Sequence, residues 1–382
     1  AHLVERAEAI AAAVDAAARA GDAAWAPHAA TPPAPPPADV AIVGMATLLP
    51  GSPSLQDYWR RLLSGQSAVR EVPADRWDVD AVFDADRRAP DKVYSRWGGF
   101  LEDVPFHPLD WGIPPTAIPP TDPMQLLALE VTKQALADAG IGDGEAPEVR
   151  ARTSVIFGFS GGLGEKGAAY AARAELPQLL GTVPEAVLER LPAWTEDSFA
   201  GFLPNVIAGR VANRMDFGGT NMTTDAACGS SLAAVYAAAM ELESGRADLA
   251  VAGGVDTLQS PFGFVSFSKT QALSPRGICN TFDKRADGIV ISEGLAVVVL
   301  KRLKDAERDG DRVYAVIKGM GASSDGRAKG LTAPLPAGQR RALARAYGQA
   351  GFDPSGVELF EAHGTGTVAG DRAELETVTT AL

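Results

Sequence analysis

From Val40 onward, short runs rich in Val, Ile and Ala alternate with longer stretches of helical periodicity, and this alternation restricts the chain to helices layered on a largely buried sheet. Strand-like runs fall at residues 40–44, 153–158, 249–255, 295–300, 313–318 and 357–362. Asp122 followed by Pro123 opens a helical stretch that stops at Gly140, with a capping side chain, a proline at the first helical position and a terminal glycine. Residues 339–350 carry a second helical pattern, and no internal repeat is visible. The longest clean apolar run, LAVVVL at 295–300, has strand length and falls far short of the roughly 18 apolar residues a membrane helix needs.

The N-terminal region reads differently. Residues 3–19 form an alanine-rich helical pattern with Gly21 just past its end, interrupted by charges too often for a signal-peptide core. Residues 26–38 are proline-dense, which makes a stiff, extended spacer. The organised domain is therefore expected to start at Asp39, with residues 1–38 as a helical segment and linker from an upstream domain. The first residue, Ala1, reads as the start of a piece cut from a longer polypeptide.

At 382 residues the chain can bury a large core, and a composition of 46% hydrophobic and 22% charged residues is that of a globular protein. The net charge of −13 counts against a nucleic-acid-binding face. Two cysteines, Cys228 and Cys279, cannot build a disulfide framework, and a cytoplasmic protein with free thiols is expected.

Cys228 lies in TTDAACGSSLAAVYAAAMEL, where a strand-like run gives way to a helix. Leu232, Val235, Tyr236, Ala239 and Met240 recur at offsets of three, four, seven and eight and mark one helix face, which puts Cys228 at or just before the first turn. A free thiol, with a pKa of about 8.5, needs a local cause to react near neutrality, and helix N–H groups or a nearby base supply one. A backbone N–H there can also face an oxyanion on an attacked carbonyl. The bland alternative is a cysteine that packs as a small hydrophobe, the reading assigned to Cys279 in SPRGICNTFD.

Of the four histidines, His2 and His28 lie in the tail and linker, and His107 in a loop-like FHPLDW. His363 follows a strand-like run and opens a glycine and threonine loop, where α/β folds place site residues, and it is the one base available to Cys228. A competing motif is Gly158-Phe159-Ser160-Gly161-Gly162, which fits the G-x-S-x-G nucleophile elbow of serine hydrolases and follows a strand. No dinucleotide glycine spacing, P-loop or metal-ligand cluster is present, so neither a bound cofactor nor a metal is indicated.

Taken in order, DVAIVGMA, DYWRRLLSGQSAV, VPADRWD, SRWGGFLEDV, DAACGSSLA, ALSPRGICNTFDKRADG, SEGLAVVVLKRL, EAHGTGT and GDRAE resemble the β-ketoacyl synthase, or ketosynthase, domain of type I polyketide synthases, from Asp39 to the last residue. The cysteine run departs slightly, and ADGIVISEG is less glycine-rich than the family pattern, but neither change removes a reacting group.

The resemblance implies a thiolase-like α/β fold of five layers, αβαβα, made of two similar halves at 39–303 and 304–382, the second incomplete. It implies a homodimer among neighbouring synthase domains. By the same likeness Cys228 accepts the acyl group, and His363 is one of two histidines that polarise a malonyl thioester carbonyl during decarboxylation. Thr365 and Thr367 match threonines that contact the phosphopantetheine arm of an acyl carrier protein, which delivers the substrates. The second histidine and a phenylalanine-containing glycine loop of the family have no match here, and the chain is read as truncated. The implied activity is decarboxylative Claisen condensation. A catalytically silent ketosynthase-like scaffold or dimerisation partner is the alternative.

Overall fold

Strands form at five of the six strand-like runs, all but 357–362, and at three further short segments. In a computed structural model that describes residues 39–142, 146–257, 259–327, 330 and 333–381, they are β1 (Val40–Leu48), β2 (Arg70–Glu71), β3 (Trp97–Gly98), β4 (Thr153–Gly158), β5 (Asn221–Thr224), β6 (Leu249–Asp256), β7 (Gly294–Arg302) and β8 (Ala315–Ile317). The alanine-rich pattern and the proline tract lie outside the described residues. The residues from Asp39 on form one compact unit.

Six of these strands make a mixed sheet in the order β5-β4-β6-β7-β1-β8, and β2 and β3 form a separate ribbon. β4 pairs in parallel with β5 and β6, whereas β7 runs antiparallel to β6 and β1. Every residue of β4 is buried, as expected of a strand covered on both faces. Its side chains alternate between two cores: Val155 and Phe157 face one, Ile156 the other.

The helices used below are α1 (Pro123–Asp138), α2 (Gly164–Leu180), α3 (Asn205–Arg214), α4 (Ser230–Glu243), α5 (Pro336–Ala350) and α6 (Val368–Ala381). α1 starts where the sequence predicts, with the Asp122 side chain accepting the Met124 N–H and Pro123 at the first position. Leu129 of α1 and Ile207 of α3 join Phe157 in the first core, and Ala234, Ala238 and Leu242 of α4 join Ile156 in the second. The sheet is thus sandwiched between helices, an α/β arrangement with a central mixed sheet. Burying one such Phe or Ile side chain contributes about 2 to 3 kcal/mol.

Two expectations change. The run at 313–318 shortens to Ala315–Ile317, which pairs antiparallel with β1. Residues 357–362 are not a strand, and Leu359 is 82% exposed. No described strand pairs with them, and an extended run without a ladder partner gains none of the cross-strand bonds that define a sheet.

Candidate active site

Cys228 sits on a tight turn between β5 and α4, one residue before the helix N-cap Gly229. The turn is tied by short-range bonds. Asp225 accepts the Ala227 N–H at 2.9 Å, and Ser230 Oγ accepts the Ala226 N–H at 2.9 Å while donating to the Ala227 carbonyl at 2.7 Å. These bonds hold Ala227 at φ +50, a left-handed conformation that costs an L-residue about 1 to 2 kcal/mol. The sharp reversal leaves Cys228 exposed and unpaired, at the start of a helix as its sequence predicts.

Beneath the turn, Gly158 ends β4 against Ser230. A Cβ on Gly158 would stand 2.3 Å from the Ser230 carbonyl carbon and oxygen, so only the absence of a side chain lets α4 seat on the strand end.

A cavity of about 520 Å³ opens beside Cys228, with Ser160, Leu49, Val235, Asp256 and Glu293 among its walls. Ser160, the serine of the elbow-like motif, is exposed and shares this cavity with Cys228. Glu293 is buried, yet its carboxylate accepts Arg76 Nη2 at 2.9 Å and the Leu101 N–H at 2.8 Å. Burial pushes its pKa above the ordinary glutamate value, opposed by those two contacts. It also walls a neighbouring cavity of about 700 Å³ lined by Arg76, Trp77, Lys166 and Gln259.

His363 is exposed on its own loop, and among the described residues it neither hydrogen-bonds to Cys228 nor lines the cysteine cavity. The loop is held by acids of α6. Glu374 accepts the N–H groups of His363 at 2.6 Å and Gly364 at 2.8 Å, and the buried Asp371 accepts those of Gly366 at 3.0 Å and Phe282 at 2.7 Å. Thr365 and Thr367 bring their hydroxyls within 3.0 Å of each other. Thr367 Oγ1 also accepts the Gly370 N–H at 3.1 Å, which caps α6.

Cys279, expected as loop or packing, is exposed against this loop, its sulfur 3.1 Å from the Thr365 carbonyl. Sequence reasoning passed over Glu293, Asp371, Glu374 and Thr281. The one available signal was the acidic pair in GDRAE, placed to meet N–H groups around the start of a helix.

Among the described residues no group of three or more His, Cys, Asp or Glu side chains is arranged to hold a metal, and no helix is long and apolar enough to cross a membrane.

The sequence matches the family described as beta-ketoacyl synthase, N-terminal domain, over residues 38–306, and its C-terminal domain over residues 314–382. Polyketide synthase PksN of Bacillus subtilis is 35% identical, across 89% of this chain and 6% of the relative. The pikromycin polyketide synthase component PikAII of Streptomyces venezuelae is 39% identical, across 89% and 9%. A polyunsaturated fatty acid synthase from Thraustochytrium sp. is 37% identical, across 88% of this chain and 12% of the relative. The chain therefore spans only 6% to 12% of the length of these three relatives.

Among solved structures, an oxazolomycin ketosynthase domain of Streptomyces albus superposes with a TM-score of 0.78 at 35% identity, covering 90% of this chain and 56% of that one. The ketosynthase from module 6 of the Bacillus subtilis bacillaene synthase gives 0.74 at 32% identity, covering 90% and 54%.

Proposed function

The chain belongs to the β-ketoacyl synthase family, and from that premise we propose that it is the ketosynthase region of a polyketide synthase, joining acyl units by decarboxylative Claisen condensation. The observation that carries this reading is Cys228 itself, held exposed on a left-handed turn at a helix start beside a cavity of about 520 Å³.

In the proposed cycle Cys228 Sγ attacks an acyl thioester, releases the donor thiol and keeps the acyl group activated as a new thioester. A malonyl unit on the phosphopantetheine of an acyl carrier protein then loses carbon dioxide. The carbanion left behind attacks the Cys228 thioester carbonyl, a carbon–carbon bond forms, and the Cys228 thiolate departs and regains a proton. Negative charge gathers on the extender's thioester oxygen as carbon dioxide leaves, and fixed donors there lower the barrier. His363 is proposed as one of those donors, and Thr365 and Thr367 as contacts for the phosphopantetheine arm. The protein itself holds no cofactor in this scheme.

The proposed setting is a cytoplasmic, multidomain synthase in which residues 1–38 lead from an upstream domain and residues 39–303 and 304–382 are the two ketosynthase halves. Free thiols at Cys228 and Cys279 support the compartment. β5 is one of the two outer strands of the sheet, with one side of its ladder unpaired by any described strand, and this supports a homodimer in which the sheet continues into a second copy.

Incubation of the chain with an acyl thioester should add one acyl mass at Cys228, and an unmodified Cys228 would overturn the reading in favour of a silent scaffold. The resemblance calls for a second histidine, and His2, His28 and His107 do not stand in the required glycine-histidine setting. The chain alone is therefore expected to load acyl groups but to release carbon dioxide from malonyl carrier protein on the order of 10² to 10³ more slowly than a two-histidine site. Rapid release by the chain alone would remove the requirement for that second donor.

A further inference from the structure

Three consecutive carbonyls of the His363 loop are met by donors from a single distant segment. Thr281 Oγ1 donates to the Gly364 carbonyl at 2.7 Å, the Cys279 thiol reaches the Thr365 carbonyl at 3.1 Å, and the Gly288 N–H donates to the Gly366 carbonyl at 3.0 Å. The thiol also lies 3.5 Å from the Gly364 carbonyl and 3.6 Å from Thr281 Oγ1, so the two side chains work over the same pair of peptide groups. Contact is close: a Cβ on Gly366, which takes φ +68, would stand 2.9 Å from the Cys279 sulfur. On the other side Glu374 takes the N–H groups of His363 and Gly364, and Asp371 takes that of Gly366. The acids of α6 hold the amides, and residues 279–288 hold the carbonyls.

We propose that Thr281 and Cys279 are positioning residues for His363, clamping the Gly364 and Thr365 carbonyls so that the imidazole is presented in one orientation. The inference rests on the reading of His363 as a donor to the extender thioester. A peptide plane rotates only if both its N–H and its C=O can find new partners, and in the Thr365–Gly366 peptide group both are engaged, the carbonyl by Cys279 and the N–H by Asp371. Loss of the two side-chain donors frees the Gly364 and Thr365 carbonyls to turn toward water, and the side chain at 363 moves with them. Misplacement by about 1 Å of a group aimed at a reacting atom costs on the order of 10²-fold in rate. Neither Thr281 nor Cys279 needs to touch substrate for this.

The experiment compares Thr281→Val, Thr281→Ser and the double variant Thr281→Val with Cys279→Ala in the full-length protein. Amide hydrogen exchange across residues 363–367 should quicken about tenfold or more in the double variant, stay near wild type in Thr281→Ser, and remain unchanged in α4. Unchanged exchange at 363–367 in the double variant overturns the clamp whatever the protein catalyses.

With the clamp loosened, condensation with malonyl carrier protein should fall by about 10- to 100-fold, while acyl loading of Cys228 stays within about twofold and Thr281→Ser recovers condensation. Equal losses in loading and condensation, or quickened exchange with undiminished condensation, overturn the positioning role. A wild-type protein that loads and condenses nothing overturns the functional reading instead, and the exchange measurement then decides the clamp by itself.

Discussion

His363 donates its backbone N–H to the Glu374 carboxylate at 2.6 Å, so the proposed catalytic histidine is anchored through its main chain by an acid eleven residues on. The second oxygen of the same carboxylate holds Gly364 at 2.8 Å. Glu374→Ala leaves both N–H groups without acceptors, and because bonds to a charged group are the stronger kind, a loss of about 2 kcal/mol is expected. Glu374→Gln keeps one oxygen and should lose about half as much. Urea denaturation of the three proteins checks the order, and equal stability of Glu374→Ala and wild type would contradict it.

Gly158→Ala should be among the more damaging single-methyl insertions in the molecule. The new Cβ would meet the Ser230 backbone at 2.3 Å, and neither a strand end nor a helix start can yield cheaply, so a loss of about 3 kcal/mol is expected. Gly245→Ala is the comparison: its φ of +70 penalises a side chain, but nothing lies within 4 Å, and about 1 kcal/mol should suffice. Similar denaturation midpoints for the two variants would show that Gly158 is not tightly seated.

Both thiols are exposed, but Cys228 stands at a helix start whereas the Cys279 thiol is engaged with the Thr365 carbonyl, so an alkylating reagent near neutral pH should modify Cys228 in preference to Cys279. Prior acylation is predicted to protect Cys228 alone, as read by peptide mass spectrometry. Cys228→Ala should abolish the acyl adduct and leave the thermal midpoint close to wild type, since the side chain is outside both cores. An adduct that persists in Cys228→Ala would reassign the nucleophile.

Ser160 shares the cysteine cavity, which makes it the natural rival for that reassignment. Ser160→Ala is expected to leave acyl loading and any ester hydrolysis unchanged. Loss of ester hydrolysis in that variant, with Cys228 intact, would favour the hydrolase chemistry suggested by its G-x-S-x-G setting.

Asp122 ties stability to pH. The residue is 1% exposed, and its carboxylate accepts the Met124 N–H of α1 at 3.2 Å and the Lys166 N–H of α2 at 3.3 Å. Burial raises its pKa above the ordinary 3.8, against the opposing pull of those N–H groups. The folded state therefore binds the proton more tightly than the unfolded state. This contribution is fully present below the unfolded value and is lost as pH rises through the raised one. Thermal midpoints of Asp122→Asn should fall less over that interval than those of the wild type.

Asp248 has the opposite sign. The Arg152 hydrogen bond, helped by Arg302, holds it at about 2. Its contribution is present above the ordinary 3.8 and disappears as pH falls toward 2. Asp248→Asn should flatten the acid limb of the stability curve, and an acid limb identical to wild type would dismiss the ion pair as a stabilising element.

Local signals were the legible part of this chain. Asp122 and Pro123 announce the start of α1, the apolar run at 153–158 becomes β4 residue for residue, and the periodicity after Cys228 locates α4. Each depends on neighbours within a turn or a strand. Residues 357–362 have the composition of a strand and lack a described partner, a condition that only tertiary structure settles. Glu293 looks like any acid in a loop until Arg76, 217 residues away, meets it in the interior. Thr281 and Cys279 acquire a role only when a loop more than 80 residues later reaches them.

That last separation has a temporal meaning. The bonds from Thr281, Cys279 and Phe282 to the later loop and helix span 83, 86 and 89 residues of chain. During vectorial synthesis every strand of the main sheet is complete before the acceptors at 364–371 leave the ribosome. Cys228 is thus a seated, solvent-facing thiol while the histidine loop does not yet exist. Nascent chains halted after residue 330 should already show protected amides in β4 and α4, and a second protection step should appear only when synthesis passes α6.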